Sequence, residues 1–147
     1  MDSSDEYFEI PCYHSKQAST SSTLPGHVAE ADAPRYKWSW AEKQGMSKNQ
    51  VNSLISVRAK DDSMEPQIRA GDLLVVRSDL KQIQNGAVYA IEQDGVQRIK
   101  RLYKHDDLLL LVSDKPQVEI GPELVRRAKM NAVKIIGLIW TQSGAVR

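Results

Sequence analysis

The feature that most constrains the fold is a series of short strand-like runs over residues 54–142. Each run is apolar or alternating, and Gly, Asp, Asn or Pro separates it from the next at near-regular intervals. Asp94-Gly95 is the strongest separator, because both residues tolerate the positive φ of a two-residue hairpin, and His105-Asp106-Asp107 is a weaker one. The pattern predicts an all-β fold with minor helix and a partly open, barrel-like sheet. The runs are 54–59, 72–78, 87–93, 96–103, 108–113 and 133–142.

The N-terminal quarter has a different composition. Residues 14–34 are rich in Ser, Thr, Ala, Gly and Pro without apolar periodicity, which is typical of an extended arm. Residues 7–13 contain strand formers and are expected to dock as an edge strand. Residues 37–50 predict a short helix stopped by Gly45, with Ser47 as the next N-cap. We therefore predict an arm over 1–36 and a single domain over 37–147.

Composition narrows the function classes. The 147 residues contain one cysteine, Cys12, which excludes a disulfide framework and a multi-cysteine zinc site. A formal net charge of +1 gives no global basic field for nucleic acid. The apolar runs are too short to cross a bilayer, and the N-terminus lacks the pattern of a signal peptide. We expect a cytoplasmic chain without membrane contact, cofactor or metal.

Ser63 is the candidate nucleophile, but it also fits a structural role. Asp61-Asp62-Ser63 before Met64 is typical of an N-cap or turn that leads into a short helix. The same geometry leaves backbone N–H groups free beside the hydroxyl, where they could stabilise an oxyanion. Both interpretations remain open on the local residues alone.

A serine nucleophile needs a base. His14, His27 and His105 lie in polar, loop-like surroundings, which makes a Ser-His-Asp triad a minor alternative. A lysine can act only if burial lowers its pKa toward neutrality. Lys100 fits best, because it lies inside the run 96–103 on the face shared by Val96 and Leu102, which we expect to be the inner one. A solvated edge position is the structural alternative for this lysine.

Six short motifs follow one another along the chain: DSMEP (62–66), GDLLVV (71–76), GAVYAI (86–91), RIKRL (98–102), SDKP (113–116) and IIGLIW (135–140). Together they resemble the LexA-like serine–lysine peptidase family, which includes LexA, phage CI-type repressors and UmuD. The resemblance implies an all-β, partly open fold that forms homodimers or higher oligomers. It also implies Ser63 as nucleophile, Lys100 as neutral general base, and the backbone N–H groups of Ser63 and Asp62 as the oxyanion hole.

The upstream residues resemble the same family. Residues 8–22 are similar to the segment that leads into the cleavage loop of phage repressors, and 39–51 to the connection that follows it. Members cut their own chain at an Ala-Gly or Cys-Gly bond in this loop when a RecA filament promotes docking. By position the bond here would fall at Ala18-Ser19 or Ser19-Thr20.

The sequence departs from the family pattern at three places. No Ala-Gly or Cys-Gly dipeptide occurs in residues 8–34. Because glycine permits a tight backbone beside the nucleophile, we expect self-cleavage to be slow, absent or moved to another bond. Asp61 stands where members often carry glycine, and Lys115 where they often carry asparagine.

The resemblance implies the C-terminal regulatory domain of a bacteriophage-type repressor in the SOS response, active at the host nucleoid. DNA would be bound only through a helix-turn-helix domain absent from these residues. One alternative is an oligomerisation module that does not cleave and is induced by an antirepressor protein. Another is an UmuD-like accessory protein of a translesion polymerase.

Overall fold

The computed structural model describes residues 6–13, 33–115, 122–141 and 144–145. Most of their regular structure is β-strand, so the all-β prediction is confirmed. The strands are β1 (Tyr7–Glu9), β2 (Arg35–Lys37), β3 (Leu54–Arg58), β4 (Leu73–Arg77), β5 (Val88–Gln93), β6 (Val96–His105), β7 (Leu108–Val112), β8 (Glu123–Arg126), β9 (Val133–Thr141) and β10 (Gly144–Ala145). The helices are α1 (Trp38–Lys43), α2 (Lys48–Asn52) and a 3-10 helix (Arg127–Ala132).

The main sheet is antiparallel and open. Its strand order is β3-β4-β9-β5-β6-β7-β8, and β10 pairs with β9. The late strand β9 lies between β4 and β5, which joins the two halves of the sheet. Within the described residues β3 and β8 end the order without pairing to each other, so the sheet does not close into a barrel.

Two tight hairpins hold the strand that carries Lys100. Asp94 and Gly95 have φ angles of 51° and 82° between β5 and β6, as the sequence predicted. Asp106 has a φ of 51° in the next connection, between β6 and β7. These turns fix the register of β6 against both neighbours.

The sheet buries apolar residues on both faces. On β5, Val88 and Ala90 join one cluster with the residues around Ser63, while Tyr89 and Ile91 join a second cluster. The prediction that Val96 and Leu102 mark one inner face of β6 is therefore correct only in part. Leu102 is fully buried and Val96 is 38% exposed, and Ile99 is buried against the opposite face. The buried face of β6 changes along the strand, because Gln97 and Ile99 are buried on one face and Leu102 on the other.

The N-terminal segment packs against the main sheet. Ile10 is fully buried in a third cluster with Ala41, Leu54 and Val75. Strand β1 pairs with β2 in a separate two-stranded sheet. Residues 11–13 continue along β3 through a parallel bridge between Cys12 and Ser56, so edge docking occurs there and not at β1.

The stop after α1 and the start of α2 lie where the sequence predicts. Ser47 is the N-cap of α2, with its hydroxyl accepting from the Gln50 N–H at 3.2 Å and the Gln50 side chain accepting from the Ser47 N–H at 2.8 Å. This reciprocal pair satisfies two of the N–H groups that a helix start leaves open. Gly45, just before it, has a φ of 73° in the turn after α1.

Candidate active site

The loop between β3 and β4 carries Ser63. Its two ends are joined at the base, where the Ala59 N–H donates to the Asp72 carbonyl at 2.8 Å and the Gly71 N–H to the Ala59 carbonyl at 2.7 Å. The Asp72 carboxylate also accepts from the Arg69 N–H at 2.9 Å. The loop is therefore a closed unit with little freedom at its base.

Apolar anchors hold Ser63 inside this loop. Met64 and Ile68 are 2% and 1% exposed and belong to the cluster under the sheet. Residues 63–67 form consecutive turns, so the short helix expected after Ser63 is wrong. The loop contains a cis Glu65-Pro66 bond. Ser63 itself is only 7% exposed, which places its hydroxyl beside the core and away from bulk water.

Lys100 lies on β6, opposite Tyr89 of β5, and is half-buried. Burial of its ammonium lowers the pKa of Lys100, and the positive charge of Arg98 lowers it further. The carboxylates of Asp61 and Glu123 act in the opposite direction. The Nζ atom donates to the Ser113 hydroxyl at 2.6 Å. The pKa of Lys100 is therefore shifted in the direction that a lysine base requires.

Arg101 fixes the segment that contacts Lys100. Its guanidinium makes a two-point bond with Asp114, at 2.9 Å from Nε and 2.8 Å from Nη2, and also donates to the Gly86 carbonyl. The two charged side chains are 15% and 16% exposed. A planar, bidentate pair of this kind sets orientation as well as distance. Successive residues of β6 therefore hold successive residues of the 113–115 segment.

The same segment contacts the Ser63 loop. The Lys115 N–H donates to the Ser63 carbonyl at 2.9 Å, and its ammonium forms ion pairs with Asp62 and Glu65. These carboxylates raise the pKa of Lys115, chiefly through the hydrogen bond to Asp62, so this lysine stays charged. The departure from asparagine at this position supplies a cross-link between the two loops.

Asp61 contacts the proposed oxyanion donor. The Ser63 N–H donates to Asp61 Oδ1 at 3.0 Å. Hydrogen bonds from the Ser63 side chain and backbone lower the pKa of Asp61, and the positive charges of Lys100 and Arg98 contribute in the same direction. Asp61 is therefore an anion that is electrostatically linked to both Ser63 and Lys100.

The structure brings Ser63 and Lys100 to one neighbourhood without joining them directly. Both contact the 113–115 segment, and among the hydrogen bonds of the described residues none connects the serine to the lysine. A small cleft beside Ser63 is lined by Asp61, Gln97 and Ile99 among others. The predicted cleavage segment, Ala18, Ser19 and Thr20, lies outside the described residues.

The other candidate bases are separated from this site or not described. His105 lies in the β6–β7 hairpin with its side chain 88% exposed, 3.6 Å from Asp106. His14 and His27 lie outside the described residues. The roles of Ser113, Arg101 and Asp114 were not predicted, although all three lie in motifs that carried the resemblance.

Membrane-spanning helices and metal-binding groups are both absent from the described residues. No helix in this part of the chain is long and apolar enough to cross a membrane. In the same residues, no group of three or more His, Cys, Asp or Glu side chains is placed to hold a metal ion.

Comparison with known proteins gives one match. The model of a family described as Peptidase S24-like matches residues 25–140, most of the chain, including Ser63, Lys100 and the 113–115 segment. No individual curated protein matches the sequence significantly.

Proposed function

This chain belongs to the Peptidase S24-like family, and we propose that Ser63 and Lys100 form a serine–lysine site that cuts the chain's own N-terminal arm. The observation that carries the proposal is the environment of Lys100. Its half-buried ammonium has a lowered pKa, and it lies on the strand that also positions the segment touching Ser63. Lysines whose pKa is lowered by burial beside a candidate nucleophile occur preferentially at functional sites.

The proposed reaction uses Lys100 as base and then as acid. Neutral Lys100 takes the proton of the Ser63 hydroxyl while Oγ attacks a carbonyl carbon of the arm, forming a tetrahedral adduct. The C–N bond of this adduct then breaks to leave an acyl ester, and Lys100 gives its proton to the leaving amine. Water then hydrolyses the ester and restores Ser63. For the first step, the lone pair of Lys100 Nζ must accept from the Ser63 hydroxyl, whereas in the structure Nζ donates to Ser113.

High pH provides the direct test, because it deprotonates Lys100. We expect purified protein to cut itself faster at pH 10 than at pH 7.5, with an active RecA filament accelerating the reaction at the lower pH. Mass spectrometry of the fragments locates the bond, which we expect at Ala18-Ser19 or Ser19-Thr20. Ser63→Ala and Lys100→Ala are the controls, and wild-type protein that stays as intact as Ser63→Ala under all conditions would contradict the proposal.

The wider role that we propose is the regulatory and dimerisation domain of a phage-type transcriptional repressor. Its support is the resemblance of residues 8–22 and 39–51 to the cleavage-loop region of such repressors. Sedimentation of the purified chain tests dimerisation, and a monomer at micromolar concentration would contradict it. Stimulation of a translesion polymerase, with no effect on transcription, would instead favour the UmuD-like alternative.

A second candidate function keeps the fold without the cleavage. Two observations favour a module that only oligomerises and is induced by an antirepressor. Residues 8–34 lack an Ala-Gly bond, and Lys100 is bonded to Ser113. Ser19→Gly places glycine directly after Ala18 and separates the two candidates. Cleavage that appears only in this variant means that the site is competent and the natural arm is a poor substrate.

A further inference from the structure

The hydrogen bond between Asp61 and Ser63 occupies the backbone N–H of Ser63, which is the oxyanion donor of the proposed reaction. An acyl-transfer site stabilises the developing oxyanion with N–H donors, and one such donor is worth roughly 10²–10³ in rate. The Ser63 N–H is the proposed donor here, and it already donates to Asp61 Oδ1 at 3.0 Å. A carboxylate is a stronger acceptor than a substrate carbonyl, because the hydrogen bond is charge-assisted.

Asp61 acts on the lysine as well. Its negative charge favours the protonated form of Lys100, which cannot accept a proton from Ser63. The other charged groups that act on Lys100 are Arg98 on its own strand and Glu123 on β8. These two form an ion pair at 3.3 Å, and their effects on the pKa of Lys100 are opposite in direction. Asp61 thus favours the protonated form of the proposed base and also occupies the proposed oxyanion donor.

We propose that the Asp61 carboxylate is a built-in restraint on this site, which must leave the Ser63 N–H before the hydroxyl can attack. This inference rests on the proposed function, because it assigns a regulatory role within the same reaction. It also gives a physical meaning to the aspartate at this position. Docking of the arm, with or without a partner, would have to displace the carboxylate and place a carbonyl oxygen in its position.

A purely structural role for Asp61 is the competing explanation. An aspartate that accepts from the N–H two residues ahead forms a common turn, and such turns need no connection with chemistry. The two roles predict opposite effects on rate. If Asp61 only shapes the turn, its removal loosens Ser63 and slows the reaction, whereas removal of a restraint accelerates it.

Two substitutions separate the charge from the hydrogen bond. Asp61→Asn keeps an oxygen acceptor for the Ser63 N–H and removes the charge, so it should shift the rate profile to lower pH with little gain above pH 10. Asp61→Ala removes both and should raise the plateau rate at high pH, where Lys100 is neutral in every variant. We expect this gain to approach roughly a hundredfold, the lower end of the range attributed to one oxyanion donor.

The measurement should not depend on the arm. A fluorophosphonate probe phosphonylates the serine oxygen and releases fluoride, so the labelling rate of Ser63 reports the site even if no natural bond is cut. Labelling and self-cleavage are both followed from pH 6.5 to 10.5 in folded protein, with Ser63→Ala as the blank. Asp72→Ala is the matched control, because it removes another carboxylate contact to a backbone N–H, that of Arg69, in the same loop.

The outcomes distinguish this inference from the proposed function. Faster labelling of Asp61→Ala than of wild type, with Asp72→Ala at the wild-type rate, supports the restraint. Equal or slower labelling of Asp61→Ala overturns it and leaves the proposed site standing if Ser63 is still labelled. Absence of labelling in every variant overturns both.

Discussion

At the scale of single residues, Lys100 is less exposed than Lys104 and His105, which follow it on β6. Tyr103, Lys104 and His105 on the same strand are exposed, while Lys100 is half-buried with a lowered pKa. Desolvation of an ammonium disfavours its charged form, so the folded protein holds this lysine at a cost in stability. The cost is consistent with a chemical role, because a structural lysine could be replaced by an apolar residue.

This environment predicts a pH-dependent effect of Lys100→Met on stability. The pKa of Lys100 is lower in the folded state, so the unfolded chain binds more protons between that lowered value and 10.5. The contribution of Lys100 to the free energy of unfolding therefore rises with pH in this window. We expect Lys100→Met to stabilise the protein most below the window, with an advantage that shrinks as pH approaches 10.5.

Urea unfolding of both proteins from pH 6 to 10.5 measures this difference. Lys104→Met is the control, because this residue is exposed on the same strand, and its effect should change less with pH. A difference between Lys100→Met and wild type that stays constant or grows with pH would mean that burial does not govern this lysine.

At the scale of elements, the site depends on β6 and the 113–115 segment acting as one unit. Lys100 binds Ser113, and Arg101 binds Asp114, so neighbouring residues of one strand hold neighbouring residues of one turn. The 113–115 segment also donates from the Lys115 N–H to the Ser63 carbonyl. The order of strands β5, β6 and β7 thus determines where the serine loop is held.

We predict that Asp114→Asn destabilises the protein by about 1.5–3 kcal/mol, the usual range for a hydrogen bond to a charged group. The pair with Arg101 is nearly buried and bidentate, so its loss leaves the guanidinium poorly compensated. Glu123→Gln is the matched control, because the Arg98–Glu123 pair is 45% and 44% exposed and should be worth at most about 1 kcal/mol.

Denaturant unfolding of the two variants compares them directly. Similar losses in both would show that the Arg101–Asp114 pair contributes no more than an exposed ion pair. The labelling rate of Ser63 should fall in Asp114→Asn. It should not fall in Glu123→Gln, because loss of this carboxylate lowers the pKa of Lys100 further.

At the scale of the whole molecule, hydrogen bonds connect Tyr13 and Pro34, which lie in the predicted arm, to other described residues. The Tyr13 N–H donates to the Ser56 carbonyl at 2.8 Å, and the Ile10 N–H to the Pro34 carbonyl at 2.9 Å. Tyr13 is thus bonded to β3 at the edge of the main sheet, and Pro34 is bonded to Ile10 in the N-terminal segment. The predicted boundary at 36/37 falls within β2 and stays a prediction.

We predict that Ile10→Ala costs about 2–5 kcal/mol, because the side chain is fully buried and its removal leaves a cavity in the cluster with Leu54 and Val75. Tyr7→Ala, at a position 60% exposed on β1, should change stability by about 0.5 kcal/mol or less. Urea unfolding measures both. An equally small effect of Ile10→Ala would mean that residues 6–13 are not part of the cooperative fold.

The sequence by itself determined the features that depend on neighbouring residues. The six predicted runs coincide with strands, Asp94-Gly95 forms the hairpin, and Ser47 caps its helix, because local backbone preferences decide these features. Strand β8 was missed, since its four residues include two charged ones and show too little periodicity. The family resemblance selected Ser63 and Lys100 as candidates but said nothing of the surroundings of either.

Only the tertiary structure decided how those two residues are held. The face of β6 could not be read from alternation, because the sheet is covered on both sides and each face buries apolar residues. The contacts of Lys100 with Ser113, and of Lys115 with Ser63, join residues far apart in the chain. Such contacts follow from strand order and register, which a local pattern does not encode. The carboxylate of Asp61 on the Ser63 N–H is local, yet its link to Lys100 exists only in the folded sheet.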